Sequence, residues 1–522
     1  MSSARPLTRR TLLTTAAAAT AGTLLRRPAG ALAALGSLPP HTALERRPIG
    51  SLGPGGATVE LQRSADLVGV EWQGPADAAL QLRFRIPGTG WSAWASAASH
   101  GHGPEAQAPH GRGERHVGDP IWTGGTVLLQ LRATRALADV RLHLVDASGG
   151  IGARRLALTP IAAAAALPLA APVYAAGPGQ PPIIARRAWA RRVSPPRVAP
   201  AYGAVRMAFV HHTENPNGYL PGEVPAMLRA IYAFHRYVNG WNDIGYNFVV
   251  DLYGRIFEAR AGGIDEPVVG AHAGGYNLAS TGVAVLGSFM SVPISSAARG
   301  ALERLLAWKL ALHGVSAQGR TTVRVNPAGA VYSRFRAGAH VSLPRIAGHR
   351  DGDSTDCPGN VLYGELPGIR TGVQTLAPNP VLATLGVVSA AAAPVEPAPG
   401  TSTAPPPPAP TPGTTLAGAL TLLDGTPLAG APIAVQLRTV RRRGELVSEQ
   451  TVAQAVTDAQ GQWSLPAPAI TGRGRVWLRV LYLGAPGSSA AVSAPLLLPA
   501  AAPLSAPPAE APSPPTAAPP AP

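Results

Sequence analysis

The chain alternates apolar and polar positions in two outer stretches and carries helical spacing only in the stretch between them. From about Thr42 to Gly149, Leu82, Phe84 and Ile86 are separated by Arg83 and Arg85, and Val140, Leu142 and Leu144 by Arg141 and His143. A period of two is that of half-buried strands, and turn clusters such as Pro87-Gly88-Thr89-Gly90 break it up. With no helical period present, the stretch predicts a small β-sandwich over 42–149. Its tryptophans, Trp72, Trp91, Trp94 and Trp122, are expected to be buried rather than to form an exposed sugar-stacking platform.

The middle stretch, 183–378, mixes both periods. Val205 to Val210 is a β-favouring run that delivers His211-His212-Thr213 to the end of a strand. Val224, Met227, Ile231, Phe234 and Val238 then recur every three or four residues, which predicts a helix with one inward stripe and sets His235 off it, on the surface or in a groove. Gly240 closes the helix. Asp243 to Val250 leads through Asp251-Leu252-Tyr253-Gly254 into Arg255-Ile256-Phe257-Glu258, a hairpin, and Gly282 to Gly287 reads as a buried central strand. Ser296 to His313 is a second helix carrying Leu302, Leu305, Leu306 and Leu312 and ending at Gly314. Together these predict a compact α/β domain with a mixed sheet and flanking helices. Residues 414–498 alternate again, around turns at Asp424-Gly425 and Asp458 to Gly461, and predict a second small all-β domain of Ig-like or carboxypeptidase-regulatory type.

Composition supplies the boundaries. Among 522 residues are 56 Pro and 59 Gly, and the prolines are enriched in an Ala/Pro/Gly-rich linker at 150–182, a Pro-rich linker at 379–413 and a tail at 499–522 expected to be disordered. The net charge of +16, nearly all arginine, favours anionic partners. The arginines are scattered, without the aromatic-interleaved strip that tracks a nucleic-acid backbone, so nucleic acid is not an expected partner. At the start, Thr8-Arg9-Arg10-Thr11-Leu12-Leu13, an apolar run to Leu25 and Ala31-Leu32-Ala33 have the layout of a twin-arginine signal peptide over 1–33, removed on export. The run is shorter than the roughly 20 apolar residues a spanning helix needs, so the mature chain is expected to be soluble or wall-associated, without a transmembrane segment. Nothing in the pattern specifies an oligomeric state.

The chain has a single cysteine, Cys357, with His349 eight residues before it. Exported proteins usually pair their cysteines, so a lone one is inert, reactive or a metal ligand. Zinc takes imidazole nitrogen and thiolate sulfur, and the candidates are His211 or His212, with His349 and Cys357. A thiol nucleophile paired with a histidine is the competing use.

Four segments then carry a specific resemblance: Phe209-Val210-His211-His212-Thr213, Gly240 to Phe248 (GWNDIGYNF), Gly270 to Asn277 (GAHAGGYN), and Gly348-His349-Arg350-Asp351 through Cys357-Pro358-Gly359. In this order, over about 150 residues, they resemble the peptidoglycan recognition protein family, the type 2 N-acetylmuramoyl-L-alanine amidases. The resemblance covers roughly 183–378. It implies a zinc ion (Zn2+) held by His211, His349 and Cys357, with His212 a neighbour and the fourth position left to water or substrate. It implies Tyr246 as the catalytic tyrosine, Thr355 as an oxyanion-stabilising residue, and His272 and Asn277 as lining the substrate groove. The expected reaction is hydrolysis of the amide between N-acetylmuramic acid and L-alanine in peptidoglycan. A non-catalytic peptidoglycan-binding protein of the same fold is the alternative, disfavoured by the presence of both Cys357 and Tyr246. Family members selective for diaminopimelate-type stems often carry Gly-Trp after the hairpin, where this chain reads Arg260-Ala261-Gly262-Gly263, so that preference does not carry over.

Overall fold

The computed structural model describes residues 42–147, 179–388 and 415–498, with breaks at 76–77, 87–89, 98–114, 192, 441–445 and 469–474. The expected signal peptide, most of both linkers and the tail lie outside these residues.

The N-terminal domain is built from β1 (Ala43–Leu52), β2 (Ala57–Gln73), β3 (Gln81–Ile86), β4 (Gly90–Trp91), β5 (Ala95–Ser96), β6 (Arg115–Val117), β7 (Ile121–Arg132) and β8 (Leu137–Asp146). Two separate sheets are expected of a sandwich, but these strands form one connected antiparallel sheet in the order β1-β8-β2-β7-β3-β4. The reason lies in β2. It is 17 residues long, and register breaks after Glu60 and Ala65 let it pair with β7 in its first half and mainly with β8 and β6 in its second. Both halves face one core that includes Val68, Val70, Leu82, Phe84, Leu129 and Leu142. The tryptophans divide. Trp72 and Trp122 are buried. Trp91 is exposed and Trp94 half-buried, with the Arg83 guanidinium 5.0 and 4.7 Å from their rings and Arg132 4.1 Å from that of Trp94.

The central domain is α/β. After β9 (Ile183–Ile184) come β10 (Met207–His212), α1 (Val224–Ala233), β11 (Phe248–Val250), β12 (Ile256–Glu258), β13 (Ser280–Val285) and α2 (Ser296–Leu312). A hairpin that sequence spacing does not suggest, β14 (Arg320–Arg324) with β15 (His340–Pro344), precedes β16 (Ile346–Gly348), the single turn α3 (His349–Gly352) and α4 (Asn360–Leu376). The mixed sheet has the order β16-β10-β13-β11-β12-β9, with β16, β10, β13 and β11 parallel and β12 antiparallel to β11. Alternation along β10 sends Ala208 and Val210 to the face covered by α2 and α4, and Met207 and Phe209 to the opposite face.

The expected inter-domain linker at 379–413 is shorter than composition suggests. Within it, β17 (Val381–Ala383) and β18 (Gly386–Val388) pair antiparallel with β19 (Thr415–Leu422). Their short apolar runs were hidden by the Pro-rich stretch that follows. With β20 (Pro432–Val440), β21 (Leu446–Val456), β22 (Gln462–Pro466), β23 (Arg475–Tyr482), β24 (Ala491–Val492) and β25 (Leu496–Leu498), they form two sheets around one core that includes Leu416, Val435, Trp463 and Leu478.

Both outer domains dock on the central one, by different physics. The α1 stripe of Val224, Met227, Ile231 and Phe234 shares a core with Leu67, Trp122, Val145 and Ala147 of the N-terminal domain. A Cβ at Gly69 would stand 2.0 Å from the Phe234 ring, so only glycine at that point of β2 admits the contact. The C-terminal domain adds Val492, with Leu481 and Ala490 packed beside it, to the core under α2 and α4, and couples this to a buried charge cluster. Glu266, 3% exposed, accepts from Arg438, from Arg479 Nη1 at 3.2 Å and from Trp477 Nε1 at 3.4 Å, and Asp265 pairs with both arginines. Lys309 anchors the acidic loop from below, donating to the Ile264 and Glu266 carbonyls at 2.8 and 2.7 Å. Removing one member of a buried ion pair strands the other, at about 3–5 kcal/mol. Glu266→Ala is therefore expected to lose about that much stability, read from chemical denaturation followed by tryptophan fluorescence; a loss below about 1 kcal/mol, typical of exposed pairs, would show that the cluster does not hold the domain.

Candidate metal centre

The site lies at the carboxyl ends of two parallel strands. In their register Ala208, Phe209 and Val210 of β10 face Ile346, Ala347 and Gly348 of β16, so the next residue of each chain, His211 and His349, emerges at the same sheet edge. Such edges are where open α/β sheets place ligands. Cys357 is returned to the same point by α3 and the loop after it, closed by the hydrogen bond from Arg350 N–H to the Cys357 carbonyl at 2.9 Å. One ligand atom from each of His211, His349 and Cys357 lies within 4.8 Å of the others, and the three residues are 0%, 0% and 2% exposed.

The choice between adjacent histidines follows from strand alternation. His211 shares the face of Phe209 and joins the cluster, its Nδ1 3.8 Å from Cys357 Sγ. His212 turns to the other face, where Nε2 lies 2.8 Å from Glu214, and only its backbone N–H reaches the site, donating to Cys357 Sγ at 3.4 Å. Each ligating imidazole is oriented through its far nitrogen. His349 Nε2 is 2.9 Å from Asp353 Oδ2, and His211 Nε2 is 3.2 Å from His272 Nδ1. A carboxylate behind a metal-binding histidine fixes the ring and raises its basicity. Asp353 is fully buried and also accepts from Gly274 N–H at 2.6 Å; burial nevertheless pushes its carboxyl well above the usual range. Burial likewise pushes the Cys357 thiol up, partly opposed by the His212 N–H. Two imidazoles and one thiol, all buried and converging, fit zinc, which takes these donors and whose charge makes a buried thiolate favourable.

Tyr246 belongs beside this cluster: its ring is 5.4 Å from that of His211, and burial raises its phenol well above the ordinary value. His272 is fully buried, not at a groove wall; it stands behind His211 in space made by Gly282 of β13, where a Cβ would be 2.4 Å from its ring. Asn277 spends its side-chain oxygen on the N–H groups of His272 and Ala273, at 2.9 and 3.1 Å. Thr355 is half-buried, and its hydroxyl oxygen accepts from Cys357 N–H at 3.1 Å. His235, expected on the surface or in a groove, is 2% exposed. The helix widens to a π-helix at Phe234–Val238, which turns His235 inward; its Nδ1 accepts from Gly245 N–H at 3.1 Å and its ring lies 5.7 Å from Tyr246. Asp353, Glu214 and this inward His235 were missed. Only Asp353 had a sequence signal, its i, i+4 spacing from His349.

The family model described as N-acetylmuramoyl-L-alanine amidase matches residues 201–360. A peptidoglycan-recognition protein of Drosophila simulans is 30% identical over 185 residues, spanning 35% of this chain and 85% of that protein. The chain belongs to this family of amidases and peptidoglycan-recognition proteins. A human N-acetylmuramoyl-L-alanine amidase is 30% identical over 180 residues, which cover 33% of this chain and 25% of that protein. Among solved structures, wild-type Drosophila PGRP-LB is 25% identical over 35% of this chain and 91% of that one, with a TM-score of 0.27. A second model, the Rv3811 N-terminal galactose-binding domain-like family, matches residues 33–166. The family's amidase module thus coincides with the domain that holds the ligand cluster.

Exchanging the orienting carboxylate for an amide tests the arrangement without touching a ligand. Asp353→Asn is expected to weaken zinc binding about 10–100-fold, measured by competition with a chromogenic chelator. Unchanged affinity would mean that Asp353 does not support the site.

Proposed function

We propose that this chain is an exported, zinc-dependent N-acetylmuramoyl-L-alanine amidase that hydrolyses the amide joining N-acetylmuramic acid to L-alanine of the peptidoglycan stem. The observation that carries this reading is the convergence of His211, His349 and Cys357 beside Tyr246, inside the segment matched by the amidase family. When bound, a zinc ion supplies Lewis-acid polarisation of a carbonyl and lowers the pKa of water to about 7.

The protein's own residues do the rest. His211, His349 and Cys357 hold the ion, with His272 and Asp353 fixing the rings. Tyr246, kept protonated by burial, donates a hydrogen bond to the oxygen on which charge develops during attack. Thr355 accepts the Cys357 N–H on its oxygen and so retains its own proton to donate to the same charge. Fully buried His272 supports His211 from behind, and half-buried Asn277 keeps its expected place on the substrate groove. A thiol-nucleophile reading is disfavoured, because Cys357 is buried and its thiol is pushed up rather than down. Among the described residues no helix is long and apolar enough to cross a membrane. Export by the twin-arginine route is supported by the Thr8 to Leu13 segment and the apolar run behind it.

Purified protein is expected to carry about one zinc ion per chain and to release free stem peptides from purified peptidoglycan while leaving glycan intact, read by mass analysis. Cys357→Ser should lose both zinc and release. Tyr246→Phe should keep zinc and sedimentation with the wall but slow hydrolysis by about 100-fold or more, the scale of losing one oxyanion donor. Sedimentation without release by the zinc-loaded wild type would make this a binding protein, and full activity of Cys357→Ser under chelation would remove zinc from the mechanism.

A further inference from the structure

The β14–β15 hairpin is built onto the loop that carries His349, Asp353 and Cys357. Its connecting segment, residues 325–339, lies against that loop through backbone hydrogen bonds: Arg334 N–H donates to the Gly352 carbonyl at 2.9 Å and Ser354 N–H to the Tyr332 carbonyl at 3.1 Å. Between them Ser333 forms an antiparallel bridge with Asp353, the residue that orients His349. On the other side Asn326 N–H donates to the Gly275 carbonyl at 2.8 Å, in the segment that carries His272. The connection is thus fixed to two of the segments that make the site.

The outward side of this hairpin is basic. Strand alternation sends Val323, Val341 and Leu343 into the core with Phe209 and Tyr276, and leaves Arg320 and Arg324 exposed. Arg334 and Arg336 are exposed on the connection, with Phe335, 39% exposed, between them. No Asp or Glu occurs from Arg304 to Arg350. Among the described residues no carboxylate pairs with any of these four arginines. Guanidinium groups gathered without counter-charge repel one another and favour an anionic partner, and their planar forks match carboxylates. An exposed aromatic among them suits a peptide better than a purely ionic polymer.

We propose that the β14–β15 hairpin is a docking ridge for polymeric peptidoglycan, on which Arg320, Arg324, Arg334 and Arg336 engage carboxylates of stem peptides neighbouring the one at the ligand cluster. The assignment rests on the peptidoglycan substrate proposed above. Continuity decides the occupant: a ridge bonded to the Asp353 loop stands beside the point where a stem peptide must lie to be cut, and further stems of the same polymer reach it at high effective concentration.

The test is sedimentation of the full chain, on ice, with purified peptidoglycan stripped of attached anionic polymers. One sample is native, and in a second the carboxylates are converted to carboxamides with carbodiimide and ammonia. A third, native but unstripped, probes the polymers as the anion source. The wild type is expected to bind the native stripped sample about tenfold more tightly than the amidated one, the summed worth of several exposed pairs, and the difference should shrink as salt is raised. Arg324→Gln combined with Arg336→Gln should reduce the preference to about threefold, and Arg324→Glu combined with Arg336→Glu should abolish it, with zinc content and Tm unchanged. Equal binding of the native and amidated samples by the wild type, or a preference that neither double variant alters, overturns the assignment. So does binding confined to the unstripped sample, or no sedimentation with any of them. Failure of the wild type to release stem peptides while the preference persists defeats the amidase reading alone.

Discussion

The parallel pairing of β10 with β16 is the constraint on which the rest depends. His211 and His349 are far apart in sequence, and nothing local brings them together. The register that sets Val210 against Gly348 does so, because parallel neighbours end at the same edge of a sheet. Yet β16 is only three residues long, too short to be held by its ladder alone. Packing holds it: Ile346 is buried against α2 and α4, Ala347 lies in the core on the opposite face, and Arg370 Nε donates to the Ile346 carbonyl at 2.8 Å. A slip of one residue would exchange these faces and turn His349 away from His211.

A buried polar cluster of this kind is tolerable only if each member is satisfied, since an unpaired polar group in the interior costs about 1–3 kcal/mol. The structure meets this requirement in part, in layers, with Asp353 Oδ1 and His212 Nδ1 buried without a hydrogen-bond partner. Asp353 stands behind His349, His272 behind His211, Glu214 beside His212, and Asn277 and Gly274 fix the segment that carries His272. The carboxyl of Asp353 and the thiol of Cys357 are both driven toward their neutral forms by burial, which a bound cation would reverse. The supporting residues and the ligands thus form one electrostatic unit.

The sequence made the strands and helices of the central domain readable because their apolar periods are strong, and it made the ligands readable because their residue types are rare: one cysteine in 522 residues is conspicuous. It could not show which of His211 and His212 turns inward until strand alternation was tied to a known face. His235 escapes the helical spacing because that spacing assumes 3.6 residues per turn, and the π-helix at Phe234–Val238 breaks the assumption. The strands at Val381–Ala383 and Gly386–Val388 are too short, and too close to the Pro-rich run that follows, for composition to set them apart from a linker.

The two docking surfaces have opposite consequences for how the chain holds together. The stripe on α1 that any amphipathic reading assigns to the domain's own core serves a second core as well: Met227, Ile231 and Phe234 pack with Leu67, Trp122 and Val145 across the boundary. Separating these domains would expose that apolar surface at roughly 25 cal/mol per Å2, so they behave as one cooperative unit with the site at its edge. The C-terminal contact instead buries Glu266, Arg438 and Arg479, groups that water can solvate if the domains part. The apolar part of that contact is small beside it, Val492 with Leu481 and Ala490. On the N-terminal side the apolar interface fixes Val117 and Trp122 against the core that contains Tyr246, so that the domain docking and the residue beside the ligands share one packing unit.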